Sequence, residues 1–376
     1  MQFVATELTD DERALQADVR AFLDEELAPG TFDPGLGMAA GASQELSRKL
    51  GARGWLGMAL PKAYGGGERS VVERFVVVEE LLRRGAPLES HWTADRQSGP
   101  VINRFGSEEL KHRFLPAISR GELTFSIGMS EPDAGSDLAS VACRATKVEG
   151  GYELSGTKIW TSNAHFADYA IVLCRTSDAE DRHAGLSQLI VDLHSPGVTV
   201  NPIPFLDGTE DFNEVVFERV LVPDDLLLGG EGQGWAQNTS ELSFERAGPE
   251  RWISPYLVVE HFLREYADDL GTDAERFLGE VVARWWGIRQ VSLTVARMID
   301  DGKQPSVESA LGKDLGTQFE QEVMARLQTL VDVEPALAST TVFQQLLARA
   351  VLVAPSWTVR GGTNEILRGV IARGLR

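Results

Sequence analysis

The sequence predicts an α+β protein in three zones: an N-terminal helical domain over 1–120, a central small antiparallel β-domain over 121–228 and a C-terminal helical domain over 229–376. Three observations lead to this reading. Apolar residues recur at helical spacing to about residue 120, short β-branched runs between Gly and Asp turns follow to 228, and long helical patterns return beyond Gly229. A chain of 376 residues also exceeds one ordinary core, because domains hold roughly 100 to 200 residues.

Thr9 and Glu12 form a capping box, and Leu15, Val19, Phe22 and Leu23 behind it share one helix face. Pro61 and Tyr64-Gly65-Gly66-Gly67 break the pattern before an apolar helical stretch over 71–82. Ser107 caps a further helix with Glu108 and Glu109 in its first turn, and Pro116 is expected to end it. In the middle zone the Glu149-Gly150-Gly151 turn opens a strand over 152–160, and strands over 170–174, 188–191 and 215–222 continue the series. Helical patterns then run through 233–263, 274–299 and 307–331, and a last helix starts near Thr363.

The formal charge of −20 argues against a nucleic-acid partner, which requires a cationic surface. No run reaches the roughly 18 apolar residues of a membrane span, and the start Met1-Gln2-Phe3-Val4 lacks the features of a signal peptide, so a soluble, cytoplasmic protein is expected. Cys143 and Cys174, the two cysteines, fit buried reduced thiols. The six histidines show no metal-ligand spacing with Cys or carboxylates, and no metal is expected.

Three segments carry candidate chemistry. Met129-Ser130-Glu131-Pro132-Asp133-Ala134-Gly135-Ser136-Asp137 has the small, hydrogen-bonding composition of backbone that approaches a flat or phosphorylated ligand, although read alone it is a turn. Ile159-Trp160-Thr161-Ser162-Asn163 ends a strand with an aromatic plate beside two hydroxyls, which alone reads as core. A flavin accounts for both, with Trp160 as its aromatic contact and Ser130 and Ser162 as donors to its polar edge. Arg360-Gly361-Gly362-Thr363-Asn364-Glu365-Ile366-Leu367 sets paired glycines and a capping threonine at a helix head, a place for an anion or a carbonyl oxygen.

These segments in this order resemble the acyl-CoA dehydrogenases, and the similarity covers nearly the whole chain. It includes the Leu60-Pro61-Lys62-Ala63-Tyr64-Gly65-Gly66 turn, the Gly106-Ser107-Glu108-Glu109 helix start and the Leu228-Gly229-Gly230-Glu231-Gly232-Gln233-Gly234-Trp235 stretch. The resemblance implies a helical, β-barrel, helical fold that binds FAD and dehydrogenates an acyl-CoA thioester between its α and β carbons. It implies flavin contacts from Ile127, Met129, Ser130, Trp160, Thr161, Ser162, Thr363 and Glu365, and puts Ser136 near the CoA. An electron-transfer flavoprotein is the implied oxidant.

Many members of that family carry the catalytic glutamate immediately before the Gly-Thr of the last motif, where this chain has Gly361 behind Arg360 in place of the usual aromatic residue. Others place it on the first long helix of the C-terminal domain, and this chain reads Ser243-Phe244-Glu245-Arg246 there. The resemblance therefore implies Glu245 as base and the Gly361 N–H as donor to the thioester carbonyl. Gly362 and Arg246 join them as substrate contacts. Sequence pattern alone leaves Glu245 a solvated helix charge. Arg276-Phe277-Leu278-Gly279 only partly matches the stretch that completes the FAD site across a dimer in homotetrameric relatives, and looks more like actinobacterial steroid side-chain acyl-CoA dehydrogenase subunits. A homo- or hetero-oligomer is expected. A non-catalytic or partner-dependent subunit, an acyl-CoA oxidase and an acyl-carrier-protein dehydrogenase on the same fold stand as alternatives.

Overall fold

The computed structural model describes residues 3–38, 40–178, 180–245 and 248–375, with the side chains of 240–245 and 269 outside that description. Its helices are α1 (Asp10–Glu26), α2 (Gln44–Ala52), α3 (Val71–Arg84), α4 (Glu89–Thr93), α5 (Gly99–Phe105), α6 (Glu108–Ser119), α7 (Gly234–Glu245), α8 (Tyr256–Tyr266), α9 (Thr272–Asp300), α10 (Ser306–Leu327), α11 (Val342–Val353) and α12 (Asn364–Gly374). The strands are β1 (Phe125–Gly128), β2 (Arg144–Val148), β3 (Gly151–Ser162), β4 (Tyr169–Arg175), β5 (Leu186–Asp192), β6 (Val198–Ile203), β7 (Phe212–Pro223) and β8 (Leu227–Leu228). Two compact units result, one of residues 1–41, 70–87 and 243–376 and the other of 42–69 and 88–242. Among the described residues no helix is long and apolar enough to cross a membrane.

The second unit carries the sheet, in the order β6-β7-β3-β2-β4-β5-β8 with β1 on β4. Its core runs through Ile171, Val172, Leu189, Ile190 and Val191. β4 and β5 are buried on both faces, which is why their sequences are continuous apolar runs rather than alternating ones. The pairing is antiparallel except at two places: β1 lies parallel to β4, and β2 meets β4 in parallel at the single pair Arg144–Arg175. A purely antiparallel β-domain is thus corrected. A parallel pair needs a long crossover, and the β2–β3 hairpin between β1 and β4 supplies it. Cys143 and Cys174 are buried free thiols, and burial pushes the Cys143 thiol up to about 11.

Local signals set most helix starts. Thr9 and Ser70 each close a capping box, with Glu12 and Glu73, and Ser107 accepts the Leu110 N–H at the head of α6. Pro116 does not end α6, which runs three residues further. So near the C-terminus a proline forfeits one helical hydrogen bond, and the stop comes from Gly121, in the left-handed region at φ +66° with its N–H on the Ile118 carbonyl. The helical pattern over 233–263 is likewise two helices, α7 and α8, because Gly248, Pro249 and Pro255 intervene.

In the first unit α1 packs on α3, α3 on α9, and α10 on both α9 and α12. Buried carboxylates pin these helices: Arg20 reaches Glu80 at 2.7 Å, Arg289 reaches Glu79 at 2.6 Å and Arg297 reaches Glu12 at 2.6 Å. α10 carries the stripe Ser309, Lys313, Gly316, Thr317 and Glu320 on its buried face. Small and charged residues there meet the last sequence motif.

Candidate functional site

In the second unit, residues 129–137 leave β1 through a tight turn in which Glu131 and Ala134 exchange backbone hydrogen bonds of 2.9 and 3.1 Å. This segment is tied to β3 by the backbone and by charge. The Ile159 N–H donates to the Ser130 carbonyl at 3.0 Å. Lys158, 0% exposed, donates from Nζ to Glu131 Oε1 at 2.7 Å and to the Met129 carbonyl at 3.0 Å. The Glu131 carboxylate also accepts the Ala142 and Cys143 N–H groups at 2.6 and 2.9 Å. A buried pair this well hydrogen-bonded is a rigid joint, since losing either partner leaves an uncompensated charge.

Just beyond Lys158 the β3–β7 register slips: Lys158 faces Val215 while Thr161 faces Asn213, so one extra residue sits on β3. This β-bulge puts Trp160 in the left-handed region at φ +60° and turns its indole outward, 54% exposed, with its edge toward Phe212 at 6.2 Å between ring centroids. An ordinary core tryptophan is excluded. Backbone strain of this kind collects at ligand sites. Thr161 points the other way and is 1% exposed, while Ser162 is half-buried and takes the Ser126 hydroxyl on its carbonyl at 2.8 Å. Ile127, Met129, Ser130, Trp160, Thr161 and Ser162 are therefore gathered at one end of β1 and β3, and Ser136 is exposed on the adjoining turn.

In the first unit, Gly361 and Gly362 both lie in the left-handed region, at φ +67° and +89°. Thr363 caps α12 by accepting the Ile366 N–H at 3.4 Å, and Glu365 is exposed in its first turn. Glu365 is held below the usual carboxylate range by its own backbone N–H and the Thr363 hydroxyl. Charged side chains hold this loop. Lys313, 0% exposed, donates to the carbonyls of Thr358 and Gly362, each at 2.8 Å, and to Asn364 Oδ1 at 2.6 Å. Arg360 donates to Glu320 Oε2 at 2.9 Å and to the Glu250 carbonyl at 3.0 Å. Burial pushes the Glu320 carboxyl up, and the neighbouring Arg360 guanidinium opposes that shift. Against Gly361 lies the guanidinium of Arg251.

Gly361, Gly362, Thr363 and Glu365 thus lie together at the head of α12. Glu245 is the last residue of α7 and its side chain lies outside the described residues, as does Arg246. Sequence reasoning missed Lys158, Glu131, Lys313, Glu320 and Arg251. The available signal was a charged residue on an otherwise buried helical stripe, as with Lys313 and Glu320 on α10.

Profiles of the acyl-CoA dehydrogenase N-terminal, middle and C-terminal domains match residues 9–122, 126–220 and 260–376. The chain belongs to the acyl-CoA dehydrogenase family, a family of oxidoreductases. Acyl-CoA dehydrogenase FadE29 of Mycobacterium tuberculosis is 33% identical over 97% of this chain and 96% of its own. A solved structure described as the Tcur3481-Tcur3483 steroid ACAD aligns with a TM-score of 0.89, 27% identity and 98% coverage of both chains. The ChsE4-ChsE5 complex from Mycobacterium tuberculosis aligns at 0.82 with 27% identity, over 99% of this chain and 100% of the other. FAD is the cofactor of this family, and the outward indole of Trp160 beside the half-buried Ser130 and Ser162 suits a flat ring with a polar edge.

Proposed function

We propose that the chain catalyses the α,β-dehydrogenation of an acyl-CoA thioester to the trans-2-enoyl-CoA, with Glu245 as the base. FAD, when bound, supplies the hydride acceptor. Ile127, Met129, Ser130, Trp160, Thr161, Ser162, Thr363 and Glu365 hold it. Glu245 takes the α-proton, and the Gly361 N–H donates to the thioester oxygen as negative charge builds there, a contribution of about 3 to 4 kcal/mol from a preorganised donor. Ser136, Arg246 and Gly362 contact the substrate. The division at 120/121 and 228/229 belongs to the same reading, and electrons leave to an electron-transfer flavoprotein.

One observation carries the choice of base. Residue 361 has no side chain, its φ of +67° disfavours one, and a Cβ there would lie 3.0 Å from Arg251 Nη2, so the carboxylate must come from elsewhere. Similarity to the steroid ACAD and to the ChsE4-ChsE5 complex supports a bulky, polycyclic acyl group and assembly with a second, different subunit. The test is anaerobic bleaching of the bound flavin by an acyl-CoA. Glu245→Gln is expected to keep FAD and slow bleaching by about 10² to 10⁴, the usual worth of a positioned base. Bleaching at the wild-type rate would remove Glu245 from the reaction.

A further inference from the structure

Arg251 stands on an unusually well-anchored platform. It ends the 3-10 turn Pro249–Arg251, and its main chain is pressed onto α10 at Gly316, where a Cβ would come within 2.5 Å of the Arg251 carbonyl oxygen. The residues after it are pinned as well. The Trp252 indole donates to Ser292 Oγ of α9 at 2.8 Å, and the Ser254 N–H donates to Glu320 Oε1 of α10 at 3.0 Å. From this platform the side chain, 1% exposed, reaches the last-motif loop. The three heavy atoms nearest to an ideal Cβ on Gly361 are Nη2, Cζ and Nη1 of Arg251, at 3.0, 3.2 and 3.4 Å. The planar guanidinium therefore covers the Cα of Gly361 where other residues would carry a side chain. Glu250 Oε1 lies 3.9 Å from the Arg251 Nε, and the half-buried Arg360 with the buried Glu320 completes a cluster of charges around the loop.

We propose that Arg251 is a positioning residue for this active site: its guanidinium takes the place of a side chain at residue 361 and fixes the backbone of the Arg360–Gly362 loop. Two left-handed glycines in succession leave the chain many alternative conformations, and a donor that drifts by about 1 Å can cost as much as a hundredfold in rate. A buried cation delivered from a turn anchored on α9 and α10 removes that freedom. The size of the contact makes it selective, because any Cβ at 361 must displace the guanidinium.

The proposal rests on the dehydrogenase reading for its kinetic arm and not for its packing arm. The FAD-loaded protein and its Arg251→Lys, Arg251→Met, Gly361→Ala and Arg251→Met/Gly361→Ala variants are compared by thermal unfolding and by single-turnover flavin reduction with an acyl-CoA. Arg251→Met is expected to slow reduction at saturating substrate about tenfold or more while changing substrate affinity far less, with Arg251→Lys recovering part of the rate. Gly361→Ala should lower the unfolding midpoint less in the Arg251→Met background than in the wild type, because the displaced group is gone. Additive midpoints, or wild-type reduction in Arg251→Met, overturn the proposal. Should Arg251→Met fail to fold, the same cycle run with Arg251→Lys decides it. A wild-type protein that no acyl-CoA bleaches would refute the dehydrogenase reading alone, since the thermal cycle still tests the contact.

Discussion

Lys158 and Lys313 are both completely buried, and both hold a segment of the candidate site, yet they do so in different company. Lys158 projects from β3, a strand already fixed by ladders to β2 and β7, and one carboxylate at 2.7 Å answers its charge. Lys313 projects from α10 into a loop with two left-handed glycines and is received by two carbonyls and an amide oxygen. The sheet supplies most of the order in the first region, so one ion pair suffices to join two segments. The loop has no ladder, and its shape depends on side chains that arrive from α10 and from Arg251 and Arg360.

The comparison breaks most visibly at Lys158. Lys158→Met is expected to cost about 3 to 5 kcal/mol in chemical unfolding, because it leaves the Glu131 carboxylate buried and uncompensated. Adding Glu131→Gln should recover much of that loss. A double variant as unstable as the single one would show that the lysine acts through Met129 instead. The same unit offers a neutral contrast in His91, whose Nδ1 lies 2.7 Å from Ser47 Oγ and whose pKa burial pushes down to about 4, against the pull of Asp95. An unfolded histidine takes its proton near pH 6.5 while the folded one waits until about 4, so between those values the unfolded chain binds more protons. Stability then rises with pH across that window, and about 3 kcal/mol is lost as the pH falls from 6.5 to 4. Midpoints at pH 7 and pH 4.5 check this: His91→Asn should lose less on acidification than the wild type does.

What could be read from the sequence follows the distance over which each feature is decided. The Thr9–Glu12 box and the Ser107 cap are settled within four residues, and both stand as expected. The Lys158–Glu131 pair spans 27 residues and the Lys313–Gly362 contact 49, and neither residue type announces its partner. The parallel β1–β4 pairing escaped for the same reason, as did the short strands β1, β2, β6 and β8. Site segments were legible as motifs, but their geometry was not. Nothing in a tryptophan predicts a positive φ at Trp160; the bulge against β7 imposes it.

On the loop side, Lys313→Met should cost about 2 kcal/mol, smaller than the Lys158 effect because the acceptors it abandons are neutral oxygens, two of them carbonyls of half-buried residues, and no buried carboxylate is left uncompensated. Its larger consequence should be kinetic, as a slower flavin reduction at unchanged FAD content. Equal losses of stability for the two lysines would erase the distinction drawn between a ladder-held and a side-chain-held segment.

The smallest expected effect sharpens the sheet half of the comparison. Thr161 turns its hydroxyl into the domain, where among the described residues Oγ1 finds no hydrogen-bond partner, while its carbonyl accepts from Asn213 Nδ2 at 3.0 Å. Burying an unsatisfied hydroxyl costs about 1 kcal/mol or more, and valine has the same shape without it. Thr161→Val is therefore expected to raise stability by up to about 1 kcal/mol and to leave FAD binding intact, because residue 161 then serves the cofactor through its main chain alone. A loss of FAD affinity in this variant would mean that the hydroxyl turns outward to meet the flavin, and that the bulge at Trp160 is less fixed than its neighbouring ladder implies.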